Sequence, residues 1–135
     1  MMSDDEFLAA LESCSLSECD FGHAAHVRAA YLYSRSGDFG TALAKMRGAI
    51  RTYAASLGKA DRYHETITVA FLALIRQRLF ERGDGGSWEG FAQANRELLD
   101  RDLLLRFYPQ EQLESDLARQ IFLLPCSSAT ANRYG

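Results

Sequence analysis

Apolar residues recur at spacings of three and four along most of the chain, and the runs break at Gly, Pro and capping residues, so the pattern predicts helices throughout. Ser3-Asp4-Asp5-Glu6 has the S-x-x-E form of a capping box and opens a short helix through about Leu11. Polar residues with Cys14 and Cys19 lead to Asp20, which can cap a second helix from about Phe21 to Ser36. Gly37-Asp38 closes that helix and starts a third, about Phe39 to Leu57, with Ala42, Met46, Ala49, Ile50 and Tyr53 at helical spacing. Gly58 ends it, and Asp61 can cap a fourth helix from about Arg62 to Arg82. The centre of that helix, Ile67 to Ile75, is apolar on nearly every side, as in a helix surrounded by others. Gly83, Gly85 and Gly86 predict a flexible loop, and Ser87 a cap for a helix anchored in the core by Trp88 and Phe91. An amphipathic segment with Leu113, Leu117, Ile121 and Phe122 closes the domain before Pro125. The expectation is an all-α, compact single-domain bundle of about five to six helices over 1–125, with a flexible tail at 126–135.

Composition supports that class. With 135 residues, 47% of them hydrophobic, the chain is long enough for one domain with a real core, and two prolines leave its helices uninterrupted. Fifteen basic against eighteen acidic residues give a net charge of −3, which argues against a nucleic-acid binder. The longest apolar run is too short to span a bilayer, and the acidic N-terminus does not resemble a secretory signal. Three cysteines without CxxC spacing point away from a disulfide framework and toward a reducing, cytoplasmic setting.

The candidate chemistry lies in the histidines. The chain has three, His23, His26 and His64. His23 and His26 are one helical turn apart, and His64 stands in the first turn of the fourth helix. Helices joined by short loops pack antiparallel, so the second and fourth run parallel and begin at the same end of the bundle. All three imidazoles are thereby expected together. Neutral imidazole is the commonest transition-metal ligand, and three with an open position make a Lewis-acid or redox site for zinc, iron or copper. Glu65 is about 100° around the helix from His64, which suits a group that supports the ligands, or a general base, better than a co-ligand. Tyr31, Tyr33 and Tyr63 can bring phenols to the same end. The alternative is that the histidines are hydrogen-bonded helix-start residues with no metal.

Other motifs carry less. His64-Glu65-Thr66-Ile67-Thr68 starts like H-E-x-x-H but has Thr68 at the second histidine position, and Gly83-Asp84-Gly85-Gly86 lacks the Lys of a phosphate loop. Arg76, Arg78 and Arg82 read as a solvated helix end, with Glu81 as a partner. From His26 to Ala54 the chain resembles one tetratricopeptide hairpin through Tyr33, Gly37-Asp38-Phe39, Ala42 and Met46. No second copy follows.

The stretches Phe21-Gly-His-Ala-Ala-His-Val-Arg-Ala-Ala-Tyr-Leu-Tyr and Tyr63-His-Glu-Thr-Ile-Thr-Val-Ala-Phe resemble a family of short bacterial proteins, mostly hypothetical. Ser87-Trp88, Asn95, Leu98-Leu99 and Arg106-Phe107-Tyr108 extend the likeness from about Phe21 to Phe122. The resemblance implies a shared helical bundle and assigns no chemistry to the histidines.

The first functional expectation is a small metal-binding protein, a metal-dependent enzyme with His23, His26 and His64 as ligands and Glu65 handling protons. Its partner is a small-molecule substrate, with no nucleic acid or membrane, and a homodimer is compatible with it. The alternatives are a non-catalytic tetratricopeptide-like interaction module and a metal-free protein using the same pocket through its histidines and tyrosines.

Overall fold

Ser3 starts the first helix as its motif predicts. Its hydroxyl accepts from the Glu6 amide at 3.2 Å, and the Glu6 carboxylate accepts from the Ser3 amide at 3.0 Å. The computed structural model describes residues 2–35 and 37–126. Ser36, expected to end the second helix, and residues 127–135, expected to be a flexible tail, lie outside the described residues. The described chain is all-α, 70% helical, with no strands. Its helices are α1 (Asp4–Glu12), α2 (His23–Ser34), α3 (Phe39–Ser56), α4 (Glu65–Arg82), α5 (Trp88–Ala94), α6 (Gln110–Leu113) and α7 (Asp116–Gln120). Short 3-10 turns at Glu18–Asp20, Ala60–Arg62, Arg96–Leu99 and Leu103–Arg106 join several of them.

Helix α2 is the centre of the bundle, packed on α3, α4 and α5. Its Val27, Ala30 and Tyr31 meet Met46 and Ile50 of α3 and Leu72 and Ile75 of α4 in one buried core. Burying each of the larger aliphatic side chains among these contributes roughly 1.5–3 kcal/mol. Phe91 anchors α5 at 4.7 Å from the Tyr31 ring, and Trp88 completes the cluster at the surface. No helix of the described residues is long and apolar enough to cross a membrane.

Several boundaries differ from the sequence reading, each for a local reason. Asp20 falls inside a 3-10 turn, and α2 starts from Gly22 without a side-chain cap. Asp61 likewise sits in the Ala60–Arg62 turn, and the cap of α4 is His64 itself. The final amphipathic segment is two helices, because the Ser115 hydroxyl accepts from the Ala118 amide and begins a new one. The helical phase resets there, which leaves Leu117, Ile121 and Phe122 exposed while Leu113 and Ala118 are buried. Helix α4 is not covered on all sides, since Ala73, Gln77 and Phe80 face solvent. The end of α4 is solvated at Phe80, Glu81 and Arg82, but its arginines are tied to the fold rather than to Glu81, which Gln77 holds. Arg78 pairs with Glu97, Arg82 donates to the Asn95 side-chain oxygen at 2.9 Å, and Arg76 donates to the Ser34 carbonyl at 3.2 Å.

Candidate functional site

Helices α2 and α4 pack side by side and begin at the same end of the bundle, which puts all three histidines on one cavity of about 420 Å³. Its floor is apolar, made by Val27, Met46, Ile50, Phe71 and Ile75. Around the imidazoles stand Tyr63, Arg62 and Arg101. No Asp or Glu is among its lining residues.

The nitrogens can be accounted for one at a time. His23 Nε2 faces the Leu98 carbonyl at 3.0 Å and donates to it. His26 Nδ1 donates to the Gly22 carbonyl at 2.9 Å, closing the first turn of α2 over its own cap. His64 Nε2 donates to the Leu113 carbonyl at 2.6 Å, while its Nδ1 accepts from the Ile67 amide at 3.1 Å. With one nitrogen on the Leu113 carbonyl and the other accepting from the Ile67 amide, His64 has no nitrogen left for another partner. His23 Nδ1 and His26 Nε2 have no hydrogen-bond partner among the described residues. The site therefore offers two unused imidazole lone pairs. Among the described residues, no group of three or more His, Cys, Asp and Glu side chains could hold a metal ion.

Aromatic rings fix the two free imidazoles. His26 stacks on Phe21 with centroids 4.0 Å apart, and His23 meets the Phe71 ring edge to face at 4.8 Å. Burial lowers the His26 pKa below the ordinary 6.5, the Gly22 carbonyl opposes that, and His23 adds to it. The unfolded chain thus binds this proton more readily than the folded one. Stability contributed by neutral His26 is complete above about pH 6.5 and is lost as pH falls through the lower folded value. We expect the unfolding free energy to decline on acidification from pH 7, above the carboxylate range, by at most about 1.4 kcal/mol per pH unit for this one proton. Chemical denaturation at pH 7 and pH 5.5 checks this. The His26→Gln variant should show a flatter dependence, and an unchanged slope would refute the assignment.

Glu65 does not line this cavity. It is turned to the other side of the α4 start, where Arg47 of α3 grips it with two donors at 3.0 and 2.5 Å and Tyr63 donates at 2.6 Å. Burial raises its pKa, but these donors outweigh burial and hold the carboxyl below its usual range. An ionised carboxylate with three strong donors is a brace between α3 and α4 and a weak base. Tyr63, half-buried and bonded to that carboxylate, has its phenol pushed up to about 12. Of the three tyrosines expected at this end, it alone lines the cavity. Tyr31 donates to the Asp84 carbonyl at 2.8 Å, and Tyr33 to Glu12 at 2.6 Å.

The gathering of the three histidines followed from helix order. The two arginines did not. Arg62 lies in the turn before α4 and Arg101 in the irregular stretch between the 3-10 turns, where no period shows which way a side chain points. No family model matches the chain, and no curated protein or solved structure does either.

Proposed function

We propose that this chain is a small-molecule-binding protein whose ligand occupies the cavity between the starts of α2 and α4. The observation that carries the reading is the make-up of that cavity. It is of ligand size, apolar at its floor, and ringed by a few convergent polar groups, the usual anatomy of a small-molecule site. His23 Nδ1 and His26 Nε2 are acceptors held by aromatic neighbours, ready to orient a hydroxyl or amide donor of the ligand. A metal-dependent enzyme built on the three histidines draws on the same end of the bundle. It requires His64 to give up either the Ile67 amide or the Leu113 carbonyl, and Glu65 to leave Arg47 and Tyr63.

Ligand-detected NMR with a set of small apolar fragments tests the binding reading, using Ile67→Trp to fill the cavity from a half-buried position on its wall. Fragments that bind the parent protein and lose binding in a folded Ile67→Trp variant are the expected result. Either of two outcomes would overturn it. One is the absence of any cavity-dependent binding. The other is near-stoichiometric zinc, iron or copper that alanine at His23, His26 or His64 each removes, which would establish the metal centre instead.

A further inference from the structure

We infer that the ligand is an amphipathic organic carboxylate, an anionic head on an apolar body of about a dozen non-hydrogen atoms. The inference rests on the binding reading above and adds the chemical class. Three observations converge on it.

The first is charge. Every charged side chain on the cavity is a guanidinium, Arg62 or Arg101, and no carboxylate lines it. Arg101 makes no hydrogen bond or ion pair with any described residue. Other arginines of the fold are engaged: Arg28 with Asp4, Arg47 with Glu65, and Arg78 with Glu97. Arg62 feels Glu18 through space, but Glu18 is itself paired with Lys59. Asp61, Glu65 and Asp116 line a neighbouring surface depression with Arg51 and Arg119; Arg62 and Tyr63 border both it and the cavity, so Arg101 is the guanidinium that faces the cavity alone. A planar guanidinium with spare donors matches a carboxylate in two parallel hydrogen bonds.

The second is polarity with depth. The arginines are exposed, while Val27, Ile50, Phe71 and Ile75 are buried at the floor. A molecule entering head outward keeps its charge at the guanidinium rim and buries its body. Each methylene so buried contributes about 0.8 kcal/mol.

The third is size. At about 420 Å³ the cavity lies toward the small end of the range of about 300–1,000 Å³ typical of small-molecule pockets. That suits a medium-chain or single-ring carboxylate.

Isothermal titration calorimetry with decanoate, decanol and acetate separates the contributions. Decanoate should bind, with decanol about tenfold weaker and acetate without measurable heat. Arg101→Ala, a change at an exposed position, should bring decanoate close to decanol, and raised salt should do the same. In a folded Ile67→Trp variant decanoate binding should disappear. Equal binding of decanoate and decanol, both lost in Ile67→Trp, would overturn the charge inference and leave the pocket reading standing. Acetate binding as tightly as decanoate, or a decanoate affinity indifferent to Arg101→Ala, would overturn it too. If neither ten-carbon probe binds, the carboxylate class falls, and the fragment screen separately decides whether the cavity is a site.

Discussion

Alanine at Gly90 is expected to lower the unfolding free energy by about 3 kcal/mol or more, among the larger effects a single methyl group can have. The reason is a close approach of two main-chain segments. A Cβ on Gly90 would overlap the Gly85 carbonyl oxygen and stand 3.1 Å from the Gly85 carbonyl carbon. From the other side, Gly85 has φ +72, and a Cβ there would overlap the Phe91 amide nitrogen and lie 2.8 Å from the Phe91 Cα. Backbone against backbone has no rotamer to change, so α5 or the 83–86 loop must move. Both are tied to the core. Phe91 is almost fully buried against Tyr31, and the Tyr31 hydroxyl donates to the loop at the Asp84 carbonyl. Gly48 is the control. It lies inside α3 with nothing within 4 Å of its missing Cβ, so Gly48→Ala should stabilise by up to about 1 kcal/mol through helix propensity. Urea unfolding of the two variants measures both signs, and a Gly90→Ala midpoint equal to that of the parent would defeat the argument.

The same loop shows what a sequence does and does not disclose. Its glycines announce a break in the helices. That the break is pressed against the first turn of α5 and held by Tyr31 depends on where two distant segments meet, and no period carries that. Local rules with strong chemistry were legible: the Ser3–Glu6 box, the Asp38 cap that accepts from the Thr41 amide, and the face of α3 that buries Ala42, Met46 and Ile50. Helix order sufficed to gather His23, His26 and His64 at one end. The sequence pattern left the final contacts of those rings open. Which nitrogen meets which carbonyl depends on Leu98 and Leu113, far along the chain and in segments too short for a periodic signature. Glu65 stands off the cavity for a similar reason. Its 100° offset from His64 was readable, while the Arg47 and Tyr63 donors that hold it away arise from the α3–α4 packing.

His64→Ala is the other substitution with a large expected effect, about 2 kcal/mol of lost stability, and its pattern separates two roles for this residue. As the cap of α4, the ring satisfies the Ile67 amide, a function that contributes typically about 1 kcal/mol. As a clasp, it donates to the Leu113 carbonyl and holds the end of α6 against the start of α4, and removing the donor orphans a half-buried acceptor at a similar cost. Asparagine is a good cap but is too short to span to Leu113, so His64→Asn should recover about half of the loss. A metal-ligand role predicts something else. Asparagine would then restore nothing, and a chelator would lower the melting temperature of the parent protein while leaving that of His64→Ala unchanged. The hydrogen bonds predict melting temperatures indifferent to chelator and ordered parent, Asn variant, Ala variant. Thermal unfolding of the three proteins with and without chelator therefore tests whether both nitrogens of His64 are committed to the fold, which leaves the cavity to His23, His26 and the two arginines.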